Sequence, residues 1–219
     1  MTTHFRAFDT TSKQVAPSGL YARHAKRVFD LLLLALMLPV AVPLIIVLAI
    51  LVSLDGGSPF YIQHRVGRGG RLFRLIKLRS MVLHADDLLA RHLASDPGAR
   101  AEWAHAQKLR NDPRITPVGR FLRRTSLDEL PQLWNVFRGD MSLVGPRPMM
   151  PDQQHLYPGN AYYALRPGIT GPWQVSDRNQ CSFAERARYD AIYLDRLSLL
   201  GDLGVLARTA VVVLRCTGV

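Results

Sequence analysis

The chain has 219 residues, and its 28 Lys and Arg against 17 Asp and Glu give a formal net charge of +11. This length suits one medium domain with an appendage, and the charge indicates anionic partners: nucleic acid, phosphorylated small molecules or an anionic membrane surface. The two cysteines, Cys181 and Cys216, match no metal-binding or disulfide spacing, which argues against a zinc-binding or disulfide-stabilised protein.

Residues 1–22 are polar and mixed, and predict a flexible N-terminal tail. Residues 31–54, "LLLLALMLPVAVPLIIVLAILVSL", carry no charge until the run ends. A helix of this length would cross the hydrocarbon core of a bilayer. A signal peptide would have a shorter apolar run that starts earlier and ends at a small-residue cleavage site. The segment therefore predicts a membrane anchor over residues 23–55.

Two features of this anchor indicate that both its ends lie on the same side of the membrane. Pro39 and Pro43 lie in the middle of the apolar run, where each removes a backbone hydrogen bond and favours a break. Basic residues, which favour the cytoplasmic side, flank the run at both ends: Arg23, His24, Lys26 and Arg27 before it, and Arg65, Arg68, Arg71, Arg74, Lys77 and Arg79 after it. We therefore predict a re-entrant helix-break-helix anchor; a single Pro-kinked spanning helix is the alternative.

Residues 56–219 are predicted to form one cytoplasmic catalytic domain of the α+β class, mainly helical. Phe60–Arg65 and Leu72–Leu78 alternate around "GRGG" and predict a small β-hairpin whose glycines adopt positive φ. Residues 81–109 and the chain from Phe183 onward read as helical, and the final apolar helix suits a membrane interface. Two Gly- and Pro-rich stretches, "FRGDMSLVGPRPMMP" and "LRPGITGPWQVSDRN", predict irregular loops that carry functional groups.

The stretch "SLDELPQLWN", Ser126–Asn135, contains two adjacent acids in a basic region. Ser126 followed by Glu129 has the spacing of a helix capping box. With Asp128 as the N-cap instead, Pro131 would fall in the first helical turn, where its missing N–H is harmless. Both interpretations place the acids at a helix start, and capping alone would explain them.

The surroundings of the two acids also suit phosphoryl transfer. Neighbouring residues on a helix point in different directions, so Asp128 could face a reacting phosphorus while Glu129 faces a hard cation. Arginines suited to phosphate binding lie nearby in sequence: Arg120, Arg123, Arg124, Arg138 and Arg147. A carboxylate nucleophile among cations, with Mg²⁺ to neutralise a diphosphate, is chemically sound.

Five segments taken together resemble the bacterial sugar transferase family, the monotopic phosphoglycosyl transferases. They are "AKRVFDLLL", "FYIQHRVGRGGRLFRLIKLRSM", "RNDPRITPVGRFLRRTSLDELPQLWNVFRGDMSLVGPRP", "RPGITGPWQVSDRN" and "YDAIYLDRLSLLGDLGVLARTAVVVL". The resemblance covers nearly everything from Ala25 to the end. It implies transfer of a hexose 1-phosphate from a UDP-sugar to undecaprenyl phosphate, with release of UMP, as the first step of exopolysaccharide or other glycan assembly. The "GPWQVSDRN" ending is similar to that of members that transfer galactose 1-phosphate.

The resemblance also implies the short form of the family, bound to lipid at the bacterial inner membrane with its catalytic domain on the cytoplasmic face. It implies that Asp128 is the nucleophile, carrying a covalent phosphosugar, and that Glu129 helps to hold Mg²⁺. The implied substrate-binding residues are Lys77, Arg79, Arg123, Arg147, Arg178 and Asp202. The family breaks its anchor at a proline that matches Pro43, although Val42 stands where a serine is frequent.

Two other classes of function compete with a transferase. A membrane-anchored nucleic-acid-binding or scaffold protein would explain the charge. That reading would not explain why Asp128 and Glu129 are present. The aromatic residues are also not interleaved with basic ones, as stacking on nucleic acid requires, so no nucleic-acid partner is expected. A phosphohydrolase would share the covalent step but use water as the acceptor. Homo-oligomerisation stays open.

Overall fold

A computed structural model of the chain describes residues 19–106, 109–176 and 185–215. The α-helices in these ranges are α1 (Lys26–Ser53), α2 (Ala85–Ser95), α3 (Pro97–Ala106), α4 (Pro117–Thr125), α5 (Gln132–Arg138), α6 (Ala161–Ala164), α7 (Pro172–Val175), α8 (Glu185–Asp195) and α9 (Leu199–Leu214). The strands are β1 (Phe60–Val66), β2 (Leu72–Leu78), β3 (Ser142–Val144) and β4 (Gly168–Thr170). A π-helical turn, Tyr21–Ala25, leads into α1, and 3₁₀ turns occupy Arg68–Gly70, Leu127–Glu129 and Pro151–Leu156. The predicted mainly helical fold with a small hairpin is confirmed.

The apolar segment forms α1, which is long and apolar enough to cross a membrane. Its helical backbone continues through Pro39 and Pro43, where the sequence predicts a break, so the re-entrant geometry stays a prediction. The buried positions of α1 lie along one face: Asp30, Leu34, Ala41, Leu48 and Val52. Most of the remaining surface of the helix exposes apolar side chains.

Both ends of α1 are attached to the same body of the protein. Near its start, the carboxylate of Asp30, only 1% exposed, accepts hydrogen bonds from Ser142 Oγ at 2.8 Å and Leu143 N at 3.1 Å. Near its end, the carbonyl oxygen of Val52 accepts a hydrogen bond from Arg79 at 3.1 Å. The domain therefore packs along the helix from its first turns to its last.

The predicted hairpin is present, with β1 and β2 antiparallel from the pair Phe60–Leu78 to the pair Val66–Leu72. In its turn, Gly69 and Gly70 have φ values of 67° and 78°, as the glycine-rich sequence predicts. The other edge of β2 is covered by the buried side chain of Asn135, in α5. Its Oδ1 accepts from Ile76 N at 3.2 Å and its Nδ2 donates to Arg74 O at 2.7 Å.

The two Gly- and Pro-rich stretches contribute strands β3 and β4, which pair in parallel. The prediction of wholly irregular loops is therefore wrong at these positions, because strands of three residues are too short to show an alternating pattern. Glycines allow the two stretches to touch. A Cβ on Gly168 would lie 2.1 Å from the nitrogen of Gly145, and one on Gly171 would lie 2.1 Å from its oxygen. This close contact fixes the loop that follows β3.

A cluster of buried side chains joins the second half of α1 to the hairpin and to α4: Leu48, Val52, Leu78 and Leu122. Leu127 and Leu130, which flank the two acids, pack against this cluster. Burying these side chains contributes roughly 1.5–3 kcal/mol each if they become fully enclosed. Helix α1 thus supports the turn that carries Asp128 and Glu129.

Candidate active site

The two acids lie in a 3₁₀ turn, Leu127–Glu129, between α4 and α5. Ser126 ends α4 in the left-handed conformation, with φ of 58°, and its side chain forms no capping hydrogen bond. Helix α5 begins only at Gln132, with Pro131 at its N-cap position. The predicted capping box is therefore wrong, and so is the alternative with Asp128 as N-cap. The left-handed residue reverses the chain direction and turns Asp128 inward.

Asp128 is 9% exposed. Burial, followed by the negative charge of Glu129, raises the pKa of Asp128 to about 6, while the positive charges of Lys77 and Arg123 act in the opposite direction. Among the described residues, no lysine or arginine nitrogen lies within 4 Å of its carboxylate. Within this part of the chain, the carboxylate therefore has cations around it but is not bound in an ion pair.

Lys77 comes from β2, where it pairs with Tyr61 of β1. Its ammonium lies 5.2 Å from the centre of the Tyr61 ring, a favourable cation–π contact. Burial lowers the pKa of Lys77, and the negative charge of Asp128 partly restores it. The hairpin thus presents one cation to the aspartate.

Arg123 comes from the last turn of α4. Burial lowers the pKa of its guanidinium, and the charge of Asp128 raises it. Its Nε donates a hydrogen bond of 2.8 Å to the hydroxyl of Ser80. Ser80 is a site residue that the sequence analysis missed, because 43 positions separate it from Arg123 and nothing local connects the two.

Glu129 faces Arg147, with 3.5 Å between Oε1 and Nη2. Arg147 lies in the loop after β3 that the close glycine contacts fix, and 43% of its side chain is exposed. This pair is the weaker, solvent-screened kind of ion pair. Both side chains are therefore available to a ligand that enters from solvent.

Arg65, in β1, is a further cation near the two acids. The sequence analysis counted it only as a charge that follows the apolar run. Its guanidinium donates to Pro148 O at 3.2 Å and to Gln63 Oε1 at 2.7 Å, and its buried Nε has no partner within the described part of the chain. Burial and the charge of Arg147 lower the pKa of Arg65. Arg65, Lys77, Arg123 and Arg147 thus form a cationic group around the two acids.

The residues present fit a magnesium ion held jointly with a phosphorylated substrate. The described residues contain no group of three or more His, Cys, Asp or Glu side chains that could bind a metal alone. Glu129 would supply one or two carboxylate oxygens. This small donor set is typical of Mg²⁺, which takes its other ligands from water and substrate phosphates.

Two of the predicted substrate-binding residues lie in separate networks. Arg79, 8% exposed, binds Asp55 at 2.7 Å and the carbonyls of Ser58 and Val52, so it holds the end of α1. Asp202 is fully buried in a network with the start of α1. Their predicted roles in substrate binding stay predictions. Arg178 lies outside the described residues.

The site combines a carboxylate that forms no ion pair with the described residues, a neighbouring acid suited to a metal ion, and cations placed to bind phosphate. Such a group can support nucleophilic attack on a phosphorus that carries a good leaving group.

Residues 21–216 match the sequence model of a family described as bacterial sugar transferase. The chain is 50% identical over 199 residues to the undecaprenyl-phosphate galactose phosphotransferase of Salmonella typhimurium, covering 90% of this chain and 42% of that protein. It is 48% identical over 199 residues to the UDP-galactose-lipid carrier transferase of Erwinia amylovora, again covering 90% and 42%. It is 45% identical over 188 residues to the exopolysaccharide production protein ExoY of Sinorhizobium fredii, covering 84% and 83%. The chain therefore spans about two fifths of the first two relatives and most of the third.

Proposed function

Because the chain belongs to the bacterial sugar transferase family, we propose that it moves a hexose 1-phosphate from a UDP-sugar to undecaprenyl phosphate and releases UMP. Galactose 1-phosphate is the first choice, since two of the similar proteins are named for galactose. The product, a polyprenol diphosphosugar, would start the assembly of an exopolysaccharide or another glycan. Reaction at the membrane interface suits a donor that is soluble in water and an acceptor that is soluble in lipid.

In the first step, a carboxylate oxygen of Asp128 attacks the sugar-linked phosphorus of the donor. A bond forms between the aspartate oxygen and this phosphorus, and the bond from the phosphorus to the bridging oxygen breaks. UMP leaves with the bridging oxygen. Lys77, Arg123 and Arg147 bind the phosphate oxygens and stabilise the charge that develops during the transfer.

In the second step, a phosphate oxygen of undecaprenyl phosphate attacks the same phosphorus. The bond between phosphorus and Asp128 breaks, which regenerates the carboxylate. Neither step consumes water, and Asp128 must be unprotonated for the first. The cations around the site would also bind the phosphate of the second substrate once UMP has left.

The observation that carries this proposal is the state of Asp128. Its carboxylate is buried among cations yet forms no ion pair within the described residues, and its pKa is raised to about 6. A carboxylate committed to a salt bridge would be a poor nucleophile, and one with a normal pKa would be a weaker base. Asp128 is ionised at neutral pH, and no Lys or Arg of the described residues holds it in an ion pair.

Magnesium is part of the proposal, and Glu129 is the residue placed to hold it. The ion would supply positive charge to the diphosphate of the donor and to the departing UMP. Glu129 is more exposed than Asp128, and among the described residues its recorded side-chain partner is the weakly bound Arg147, so its carboxylate can turn toward a bound ion. Asp128 then keeps its oxygen for the attack.

The packing of α1 supports attachment to one face of the membrane. A helix that crossed the bilayer would carry its first turns to one side and its last turns to the other. Here the start of α1 is bonded to β3 and its end to Arg79, and both belong to the same domain. We assign this domain to the cytoplasmic face of the inner membrane, because basic residues flank both ends of α1.

The test uses the full chain in detergent or lipid nanodiscs with UDP-galactose and undecaprenyl phosphate. We expect UMP release that depends on the lipid, with labelled sugar phosphate moving into it. Asp128→Asn should abolish both UMP release and covalent labelling by the donor. Asp140→Asn, which removes a partly exposed carboxylate paired with Arg138 at 3.4 Å and near the Asn135 amide at 3.5 Å, is the matched control and should retain activity.

Two results would contradict the proposal. Near-normal turnover by Asp128→Asn would exclude the covalent step on this residue. Release of UMP that needs water but no lipid would identify a phosphohydrolase instead. A panel of other UDP-sugars, scored in the same assay, separates the sugar preference from the reaction itself.

A further inference from the structure

Ser80 is placed by the packing of α4 against the end of the hairpin. The residue follows β2, and its carbonyl oxygen accepts a hydrogen bond from Thr116 N at 3.2 Å. Thr116 is the N-cap of α4, and its hydroxyl accepts from Gly119 N at 2.8 Å. The first turn of α4 is therefore attached directly to the backbone of Ser80.

Gly119 allows the backbone of α4 to lie very close to the backbone of Ser80. A Cβ at this position would lie 1.9 Å from the carbonyl oxygen of Ser80, so the residue cannot carry a side chain without displacing the helix. Arg123 follows Gly119 by four residues and so lies on the same face of α4. The close contact thus brings the guanidinium of Arg123 over Ser80.

Within the described residues, the hydrogen-bond partner of Arg123 is neutral, as are those of Arg65, whereas Arg79 and Arg114 bind acids. Arg114 is paired with Asp112 at 2.7 Å, and Arg79 with Asp55 at 2.7 Å. For Arg123, within the described ranges, the recorded side-chain hydrogen bond goes to the hydroxyl of Ser80 through Nε. A hydroxyl orients the guanidinium without neutralising its positive charge. Because Nε makes the bond to Ser80, the two terminal nitrogens can donate to other acceptors.

We propose that Ser80 is a positioning residue of the active site, which holds the guanidinium of Arg123 toward Asp128 and the phosphate transferred. This inference rests on the proposed function, since it assigns Ser80 a role in that reaction. Ser80 contacts neither substrate; it acts through Arg123. Gly119 contributes by allowing α4 to approach.

The deciding measurement is a double-mutant cycle between Ser80→Ala and Arg123→Met in the full chain, with transfer to undecaprenyl phosphate as the readout. In the wild-type background, Ser80→Ala should lower kcat about tenfold, the effect of losing one oriented charge-assisted hydrogen bond. In the Arg123→Met background, the same change should have less than about a twofold effect, because the residue that it positions is absent. Ser80→Thr, which keeps the hydroxyl, should retain most activity.

A second readout separates positioning from simple loss of stability. If Ser80 acts by orienting Arg123, Ser80→Ala should lower kcat with less than about a twofold change in the KM for the UDP-sugar. A loss of folded protein would instead reduce the amount of active chain and leave both constants of the remaining chains unchanged. Ser58→Ala, which removes an exposed hydroxyl that bonds only Phe60 within the described residues, is the control and should change neither constant.

Failure of this inference differs from failure of the proposed function. If the wild-type chain shows no lipid-dependent transfer, the proposed function fails. If the wild type transfers and Ser80→Ala behaves like Ser58→Ala, or loses as much activity in Arg123→Met as in the wild type, then Ser80 does not act through Arg123.

Discussion

Lys26 and Asp202 form an ion pair of 2.6 Å between Nζ and Oδ2, although 176 residues separate them in the chain. Asp202 is fully buried and also accepts hydrogen bonds of 2.6 Å from the hydroxyls of Tyr21 and Tyr193. The pair joins the beginning of α1 to the beginning of α9. Asp202 therefore fastens α1 to the C-terminal part of the domain.

Asp202→Asn should destabilise the protein, because it leaves the ammonium of Lys26 largely buried without a counterion. Breaking a buried pair from one side costs about 3 kcal/mol or more. Thermal unfolding of the full chain in detergent would measure this, with Asp140→Asn as a surface control that changes stability by less than about 1 kcal/mol. An unchanged melting temperature with a raised KM for the UDP-sugar would instead support the substrate-binding role implied by the family resemblance.

The rate should depend on pH through Asp128. Because the carboxylate must be ionised to attack, kcat/KM should fall about tenfold per unit below the pKa of about 6 and level off above it. Lys77→Gln removes a charge that lowers this pKa, so its acidic limb should move to higher pH. An acidic limb that stays at the same pH in Lys77→Gln would contradict the electrostatic description of the site.

Asp128→Asn should stabilise the fold while it abolishes catalysis. The pKa of Asp128 is raised from 3.8 to about 6, so the folded state binds the proton more tightly than the unfolded state. This contribution to stability is complete below about pH 4 and is lost as the pH rises through about 6. At pH 7.5 we expect Asp128→Asn to be more stable than the wild type by about 2 kcal/mol, and at pH 4 nearly equal to it. Chemical denaturation at the two pH values would measure the difference, and equal stability at both would contradict it.

The placement of α1 predicts how cysteines at its two flanks react. In a chain whose Cys181 and Cys216 are replaced by alanine, we would introduce His24→Cys or Arg68→Cys, both at exposed positions on opposite flanks. Both cysteines should be protected from a membrane-impermeant thiol reagent added to intact cells, and both should react after lysis. Labelling of one flank alone in intact cells would show that α1 spans the membrane.

Removal of divalent cations should stop the release of UMP. Chelation with EDTA should abolish turnover of the UDP-sugar, and Mg²⁺ or Mn²⁺ should restore it, because Glu129 and the donor phosphates share the ion in the proposed site. Glu129→Gln should require more Mg²⁺ for half-maximal activity, whereas Asp140→Asn should not. Full activity in EDTA would remove the metal from the proposal.

The sequence predicts well those structural features that depend on residues close together in the chain. The hairpin, for example, follows from two alternating runs around "GRGG". The capping prediction failed because nothing local shows that Ser126 adopts the left-handed conformation. The burial of Asp128 depends on the packing of Leu127 and Leu130 against buried side chains of α1, β2 and α4. The tertiary fold makes this contact, so no local pattern in the sequence shows it. The two acids were identified as functional from their residue types and the family resemblance, not from their local structure.

The bond between Asn135 and β2 has a consequence for the order in which the chain folds during synthesis. Ile76 leaves the ribosome 59 residues before Asn135, the residue whose amide covers it. Until α5 is made, the outer edge of β2 exposes free N–H and C=O groups, which are a template for pairing with another chain. Asn135→Asp keeps the acceptor for Ile76 but loses the donor to Arg74, so it would leave that edge partly open even in the finished protein. The first effect of such a change would be aggregation of newly made chains, before any loss of activity in those that fold.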